Sequence, residues 1–308
     1  MKIGIIGLGK MGKGLALNLL DHKFELVAFN RSSESLEEVL AAGAIAAQSF
    51  GDVAVKLSGS EPKIIWLMLT AGAALDEVLF KDRLLEQLQP GDIIIDGGNS
   101  NYKDSVRRYN LCKERGIHFL DAGVSGGPAG ARHGAAIMVG GDHQAYQKCV
   151  EIFRALSVEN GFGYVGASGA GHYVKMVHNA IEYGMLQALG EGYDLLKSGA
   201  YPDLDLNNIT SIWQNGTVIR GFLIDLMKKA LASDPVLTTS STYIEDNGEG
   251  KWAVESALEY GVPFAANTYA LMFRYLSRQD QSFAAKVITA LRHEFGGHRS
   301  NLKANAKK

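Results

Sequence analysis

The chain has 308 residues, 46% of them hydrophobic, and its 31 Lys and Arg against 33 Asp and Glu give a formal net charge of -2. This balance provides no general attraction for nucleic acid or an anionic membrane, so an anionic ligand must be held by local charge. The length favours two domains. Neither Cys112 nor Cys149 lies in a CxxC or metal-ligand spacing, which disfavours a disulfide framework and a zinc site. We therefore expect metal-free chemistry in the reducing cytoplasm.

The N-terminal residues 1–12 are apolar, but glycines interrupt them and no small-residue cleavage site follows. A first strand is therefore favoured over a signal peptide. The longest uninterrupted apolar run nearby, residues 64–69, is far shorter than the ~20 residues that cross a bilayer. We expect no membrane span.

Short β-rich runs alternate with helical stretches in the first half of the chain. This alternation predicts a Rossmann-like, doubly wound α/β domain whose parallel sheet is covered on both faces. From residue 172 onward only helical periodicity remains, with one long helix from about 171 to 198. We predict a dinucleotide-binding domain over residues 1–166 and an all-α helical substrate and oligomerisation domain over residues 167–308. The strand candidates are residues 2–6, 25–29, 63–68, 92–95, 118–121, 136–139 and 164–165.

Three glycines form the pattern G-x-G-x-x-G between the first strand and the helix that follows it. Glycines allow a tight turn and let backbone N–H groups approach a pyrophosphate, which then sits at the positive end of the helix. The same pattern occurs in purely structural turns, but the order strand, glycines, helix, strand favours a dinucleotide site. The residues expected to contact the cofactor are Gly7, Leu8, Gly9, Lys10, Met11 and Gly12.

The second strand leads into Asn30, Arg31 and Ser32, where an NAD-preferring fold usually carries an acidic residue for the ribose 2′-hydroxyl. A guanidinium beside two hydrogen-bonding side chains suits a 2′-phosphate instead. We therefore expect NADP as the cofactor, with NAD as the second choice. The alternative is a solvated turn in which Arg31 has no ligand.

Four polar residues, Lys175, His178, Asn179 and Glu182, lie at i, i+3, i+4 and i+7 of the long helix. At this spacing they share an arc of roughly 100° on one face. We call this set the polar stripe. Because burying unpaired charge is unfavourable, the stripe must face partners or a cavity, and we infer a cavity. Their apolar neighbours predict a buried helix: Val174, Met176, Val177, Ala180, Ile181 and Met185.

The stripe carries a candidate base and a candidate acid. A lysine desolvated beside a buried site has a lowered pKa and can take a hydroxyl proton during hydride transfer, which suits Lys175. If the ketone product lies β to a carboxylate, decarboxylation leaves an enediol that an acid must protonate, and Glu182 suits that step. The alternative is a structural salt bridge between Lys175 and Glu182, with His178 merely packed.

The segment VKMVHNAIEYG resembles the signature helix of the 6-phosphogluconate dehydrogenase family, and IIDGGNSNY and VSGGPAGARHG resemble two further segments of its substrate site. GLGKMG, FNRS, GEGKW, ALEYGVP and LRHEFGGHR extend the resemblance, to the short-chain form, over nearly the entire chain. The resemblance implies a decarboxylating, NADP- or NAD-dependent oxidoreductase of the pentose phosphate pathway. It also implies a homodimer or homotetramer, since the family's terminal helix reaches into a neighbouring subunit.

The resemblance assigns Lys175 as the base and Glu182 as the acid. Asn99 and the stretch that begins at Ser125 each follow a predicted strand. Sheets of this kind bind ligands at the carboxyl ends of their strands. Asn99 is also expected beside the cofactor. Taken alone, the VSGG stretch is an ordinary glycine turn and each arginine an ordinary surface residue. The substrate contacts implied by the resemblance are Asn99, Ser125, Gly126, Gly127, His178, Asn179, Tyr183, Arg274, Arg292 and His298.

The chain departs from the long-form members of the family in two ways. It is shorter, as though part of the helical domain were missing. By this resemblance, the position of Asn247 corresponds to a lysine that binds substrate in the long forms, and asparagine removes that charge. Lys251 lies nearby in sequence and is the candidate to replace it. Arg292 and His298 are expected to act on the neighbouring subunit's site.

Two rival functions share parts of this pattern. A β-hydroxyacid dehydrogenase, for a substrate such as 3-hydroxyisobutyrate, has the glycine motif and a lysine-bearing helix. In that class the lysine is typically followed by two asparagines, whereas this chain has His178 before Asn179. An acid at Glu182 is superfluous for simple hydride transfer. A non-catalytic dinucleotide-binding protein is the second rival, because fold does not settle function, but it needs neither Lys175 nor Glu182.

Overall fold

The computed structural model describes residues 1–32, 34–60, 62–81, 84–201 and 203–296. Its first half contains an eight-stranded sheet of order β3-β2-β1-β4-β5-β6-β7-β8 in the described part of the chain. Adjacent strands pair in parallel except for β6 and β7. The strands are β1 (Lys2–Ile6), β2 (Glu25–Phe29), β3 (Ile45–Ala46), β4 (Ile64–Leu67), β5 (Ile93–Asp96), β6 (His118–Ser125), β7 (Ala135–Gly141) and β8 (Ser157–Gly166).

In the described residues a helix lies between each pair of consecutive strands, and the chain after β8 is helical. A short π-helical turn (Glu77–Lys81) and a 3-10 turn (Leu84–Gln87) lie between β4 and β5. The α-helices of the described residues are α1 (Lys10–Asp21), α2 (Glu34–Ala41), α3 (Phe50–Lys56), α4 (Ala73–Asp76), α5 (Tyr102–Lys113), α6 (Gly127–His133), α7 (His143–Leu156), α8 (Ala170–Ser198), α9 (Leu206–Gln214), α10 (Phe222–Ser233), α11 (Glu249–Glu259), α12 (Ala265–Leu276) and α13 (Phe283–Gly296).

The sheet is buried on both faces. Every residue of β4 and β5 is buried, as expected for parallel strands covered by helices on both sides. Along β5, Ile93 and Ile95 pack in one hydrophobic cluster and Ile94 in the other, because successive side chains of a strand point to opposite faces. The predicted Rossmann-like α/β domain followed by a helical region is confirmed.

Two features of the sheet differ from the prediction. The strand β3 is not among the predicted strands, because it is only two residues long and too short to show an alternating pattern. The pairing of β6 with β7 is antiparallel. The connection between them is limited to residues 126–134, which is shorter than the crossover of about a dozen residues that a parallel pair needs.

The long helix α8 begins against β6 and β7. The carboxylate of Asp121 on β6, which has 0% exposure, accepts hydrogen bonds from the backbone N–H groups of Gly169 (2.7 Å) and His172 (3.0 Å). This anion satisfies backbone donors at the helix start. A Cβ on Gly171 would lie 2.6 Å from the carbonyl oxygen of Met138. Only glycine therefore allows the helix to approach the sheet this closely, and the sheet fixes where the polar stripe lies.

The described chain separates into two compact units. The first contains Met1–Glu182 and Gly248–Val262, and the second contains Tyr183–Asn247 and Pro263–Lys308. Within the second unit, the buried Tyr193 hydroxyl and Thr210 Oγ1 lie 2.7 Å apart and tie α8 to α9. The domain boundary after residue 166 stays a prediction. None of the helices in the described residues is long and apolar enough to cross a membrane.

Gly123→Ala should destabilise the protein. An added Cβ would collide with the Lys175 side chain and would lie 2.8 Å from the carbonyl oxygen of Gly171, so α8 must shift or the strand must distort. Overpacking of this kind costs about 1–3 kcal/mol or more in the free energy of unfolding, which urea denaturation measures.

The control is Gly163→Ala in β8, where an added Cβ meets no atom within 4 Å. Its unfolding free energy should change little or rise slightly. Equal stabilities for the two variants would contradict the close contact between β6 and α8.

Candidate functional site

The glycine loop after β1 leaves one side of its backbone open. Gly7 has φ of 93°, and a Cβ there would collide with the carbonyl oxygen of Met68. A Cβ on Gly12 would collide with the carbonyl oxygen of Gly7, whereas a Cβ on Gly9 would meet nothing within 4 Å. Gly7 and Gly12 are thus required by the fold, and Gly9 faces open space at the N-terminus of α1. A helix N-terminus with an accessible backbone suits a pyrophosphate, so these residues fit a dinucleotide.

The end of β2 is fastened to this loop. The Asn30 Oδ1 atom accepts a hydrogen bond from the Leu8 N–H (2.9 Å), and its Nδ2 donates to the Ser32 Oγ (2.9 Å). The exposed guanidinium of Arg31 lies 5.8 Å from the centre of the Phe50 ring. Lys10 and Met11 are the first two residues of α1. The structure therefore brings the predicted cofactor residues of the loop and of the β2 end together.

Three residues of the polar stripe contact one another. The Lys175 Nζ lies 2.5 Å from Asn179 Oδ1, and the His178 Nδ1 lies 2.9 Å from the same oxygen. Lys175 Nζ is also 3.4 Å from His178 Nδ1, and Ser125 Oγ is 3.5 Å from His178 Nε2. The shorter contact assigns the proton of the imidazole to Nδ1, which donates to Asn179 and leaves Nε2 to accept from Ser125.

The stripe meets a carboxylate that the sequence interpretation missed. The Asn179 Nδ2 donates a hydrogen bond to Oε2 of Glu249, the first residue of α11. Both side chains are buried, with 9% and 4% exposure. Glu249 follows Asn179 by 70 positions and belongs to another helix, so no local spacing indicates the contact. The buried side of the stripe therefore has a partner on α11, and the inferred cavity stays a prediction.

Burial changes the chemistry of Lys175. The residue is 5% exposed, and desolvation lowers the pKa of its amine, while the carboxylates of Glu249 and Glu182 raise it. The net direction is downward, so the neutral, proton-accepting amine is more accessible near neutral pH than in a free lysine. Glu182 is half-buried on the same helix face. Among the described contacts, the amine is bonded to Asn179 rather than paired with Glu182.

The other candidates of the first unit lie at three places. The Asn99 side chain, at φ of 50°, accepts from the Val124 N–H (3.0 Å) and donates to its carbonyl oxygen (3.2 Å). This clamp uses one donor and one acceptor of the amide and leaves one of each for a ligand. Gly126 and Gly127 have φ of 121° and 61° where β6 turns into α6. Lys251 is exposed, with its Nζ 3.7 Å from Glu255.

The remaining candidates belong to the second unit. The Arg274 guanidinium lies 3.5 Å from the centre of the Tyr183 ring, and its Nη1 donates to the Glu245 carbonyl oxygen (2.6 Å). The Tyr183 hydroxyl donates to Asn247 Oδ1 (3.3 Å). Tyr183, Arg274 and Asn247 therefore form one cluster. Arg292 is exposed on α13, and His298 lies outside the described residues.

The prediction that α8 is buried around the stripe is partly wrong. Met176 and Ala180 are buried at 2% each, but Val174, Ile181 and Met185 are 37%, 50% and 53% exposed. The apolar pattern is present, yet these three side chains are not covered within the single chain. Periodicity reports which side is apolar and not what covers it.

Neither thiol is suited to chemistry. Burial raises the pKa of Cys112 and of Cys149 to about 12, so both stay protonated near neutral pH. Within the described residues, no group of three His, Cys, Asp or Glu side chains is placed to hold a metal ion.

Comparison with known proteins identifies the family. Residues 2–166 match the NAD binding domain of 6-phosphogluconate dehydrogenase, and residues 171–307 match the 6-phosphogluconate dehydrogenase C-terminal domain. The NAD(+)-dependent, decarboxylating 6-phosphogluconate dehydrogenase of Haloferax volcanii is 41% identical over 300 residues, which cover 97% of this chain and 98% of that protein.

Solved structures agree with the sequence matches. The 6-phosphogluconate dehydrogenase of Plasmodium falciparum superposes with a TM-score of 0.81 at 32% identity, covering 100% of this chain and 67% of that one. The 3-hydroxyisobutyrate dehydrogenase of Mycobacterium tuberculosis gives a TM-score of 0.73 at 21% identity, covering 94% and 99%, a likeness in fold alone. The resemblance predicted from the motifs is confirmed, and the chain belongs to the 6-phosphogluconate dehydrogenase family.

Proposed function

We propose that this chain oxidises and decarboxylates 6-phosphogluconate to ribulose 5-phosphate and CO2, with NADP as the preferred oxidant and NAD as the second choice. The observation that carries the proposal is the buried Lys175 amine, which is bonded to Asn179 at 2.5 Å and lies on the same face of its helix as Glu182. An amine of lowered pKa and a carboxyl group along one face supply the base and the acid that this reaction requires.

Lys175 acts as the base in the oxidation. A nicotinamide cofactor whose pyrophosphate is held by the glycine loop would supply the acceptor for the hydride that leaves C3 of the substrate. The neutral Lys175 amine takes the proton of the C3 hydroxyl, and the contact with Asn179 Oδ1 fixes where that amine lies. His178 and Ser125, which contact each other at 3.5 Å, are assigned to the substrate's hydroxyl groups.

Glu182 acts as the acid after decarboxylation. The new ketone at C3 lies β to the carboxylate, so the bond from C1 to C2 breaks, CO2 leaves and its electron pair enters an enediol. The proton held by Lys175 returns to the ketone oxygen as the enediol forms. Glu182 then protonates the carbon that carried the carboxylate. A simple hydroxyacid oxidation has no such final step, which favours the decarboxylating reaction over the β-hydroxyacid rival.

Other site roles follow the family pattern. Asn99 keeps a donor and an acceptor beyond its clamp on Val124, so it is assigned to substrate and cofactor. The backbone of Gly126 and Gly127 is assigned to the sugar acid. A guanidinium suits the substrate's phosphate, and this role is assigned to Arg274 and Arg292, with His298 as a further phosphate ligand. Tyr183 is assigned to the sugar acid, and Lys251 is assigned to replace the lysine charge that is missing at Asn247.

A homo-oligomer, either a dimer or a tetramer, is also proposed. The last described helix, α13, exposes Phe283, Ile288 and Leu291 at 77%, 58% and 57%. Apolar side chains exposed together on one helix are typical of a face that a partner covers. A second copy of this chain is the expected partner. The cytoplasmic location stays a prediction.

The direct test is a steady-state assay with 6-phosphogluconate and each nicotinamide cofactor. We expect reduced nucleotide and CO2 in equal amounts from 6-phosphogluconate and no turnover of 3-hydroxyisobutyrate. Turnover of only 3-hydroxyisobutyrate would favour the β-hydroxyacid dehydrogenase. Cofactor binding without reduced nucleotide or CO2 from any sugar acid would favour the non-catalytic rival.

Lys175→Met should lower kcat by at least about 10²-fold, the usual contribution of a general base. Methionine has a similar volume and no proton-accepting amine, so fluorescence titration should show unchanged cofactor binding. The control, Lys197→Met, changes an exposed lysine of the same helix and should keep full activity. Normal turnover by Lys175→Met would contradict the assignment.

Arg31→Ala should reduce kcat/KM for NADP by about tenfold or more, because charge-assisted hydrogen bonds contribute about 1.5–3 kcal/mol. The value for NAD should change little, since NAD lacks the 2′-phosphate. Arg154→Ala, which removes an exposed arginine from α7, should leave the ratio of the two values unchanged. An unaltered ratio in Arg31→Ala would show that this arginine does not select the cofactor.

A further inference from the structure

Glu249 is a buried carboxylate with no role in the sequence interpretation. It is the first residue of α11, follows Gly248 at φ of 90°, and is 4% exposed. Burying a carboxylate costs several kcal/mol unless charges and hydrogen bonds compensate. An acidic residue in the first turn of a helix gains only about 0.3–1 kcal/mol from the helix dipole. Stabilisation of α11 alone is therefore a weak explanation for this residue.

The contact of Glu249 determines which way the Asn179 amide faces. An ionised carboxylate can only accept hydrogen bonds, so it must receive the Asn179 Nδ2. Oδ1 then points to the other side of the amide, where Lys175 Nζ (2.5 Å) and His178 Nδ1 (2.9 Å) both reach it. A flipped amide would oppose its N–H groups to both donors and its oxygen to the carboxylate. All three contacts hold only in one orientation.

We propose that Glu249 is a positioning residue that locks the Asn179 amide and thereby holds the Lys175 amine and the His178 ring in their working places. This inference rests on the proposed function, because it gives Lys175 and His178 their tasks. Glu249 acts through Asn179 and need not touch the substrate.

The charge of Glu249 also acts on Lys175. Its carboxylate and that of Glu182 raise the pKa of the amine, against the larger lowering by burial. His178 Nδ1 lies 3.4 Å away on the same helix. On β6, which packs Gly123 against the lysine, the carboxylate of Asp121 is bound to backbone N–H groups at the start of α8. Removal of the Glu249 charge should therefore lower the pKa of Lys175.

The test compares Glu249→Gln with Glu249→Asp. Glutamine keeps an acceptor oxygen but removes the charge and can donate to Asn179 Oδ1, so the amide orientation is no longer fixed. For Glu249→Gln we expect kcat with 6-phosphogluconate to fall about tenfold. In the plot of kcat/KM against pH, the acid limb should move to lower pH by roughly 1 unit. The limb moves down because an amine of lower pKa stays neutral at lower pH. Aspartate keeps the charge, so its acid limb should stay close to that of the unchanged chain.

The matched control is Glu259→Gln, at the exposed end of the same helix, where the carboxylate pairs with Lys103. It should leave the pH profile and kcat unchanged. If Glu249 only stabilised α11, Glu249→Gln would lower the free energy of unfolding and leave the acid limb of the pH profile where it is, which would contradict the positioning role.

A second readout separates this inference from the proposed function. Competitive acetylation of lysines, followed by peptide mass spectrometry across pH, reports the pKa of Lys175 without substrate. A lower value in Glu249→Gln than in the unchanged chain supports the role of Glu249 even if 6-phosphogluconate is not turned over. An unchanged value, or an unmoved acid limb in an active Glu249→Gln enzyme, would overturn it while leaving the proposed function intact.

Discussion

A lysine amine removed from water must be either paired or neutral, and this constraint organises the first compact unit. Lys175 is 5% exposed and bonded to Asn179, which in turn donates to the carboxylate of Glu249. Burial favours the neutral amine, and the two nearby carboxylates limit that effect. The result is an amine that is held at one place and has a lowered pKa, which are the properties that the proposed base requires.

The sheet supplies the position of that amine. Asp121 satisfies the first backbone donors of α8, and Gly123 lets the strand approach the Lys175 side chain. Along the same edge of the sheet, after the carboxyl end of β1, Gly7 and Gly12 allow α1 to pack against β1, and Gly9 is left facing open space. The glycines thus have distinct tasks: some permit close packing within the fold, and one leaves a backbone surface for a pyrophosphate.

Much of this architecture follows from local sequence. The run that forms β4 is uniformly apolar, and the run that forms β5 is apolar up to Asp96, because both faces of a parallel strand are covered. The glycine loop lies between strand and helix, as its spacing predicts. The contact of Asn179 with Glu249 could not be predicted, because the two residues are 70 positions apart and meet only through tertiary packing. The exposure of Ile181, at 50%, is likewise invisible to periodicity, which cannot show what covers an apolar face.

A structure of this chain with 6-phosphogluconate bound tests the central claim most directly. The C3 hydroxyl should lie within hydrogen-bond distance of Lys175 Nζ, about 3 Å. The carbon that bears the carboxylate should face Glu182. A sugar acid bound with its C3 hydroxyl away from Lys175, and with the amine still bonded only to Asn179, would contradict the assignment of this lysine as the base.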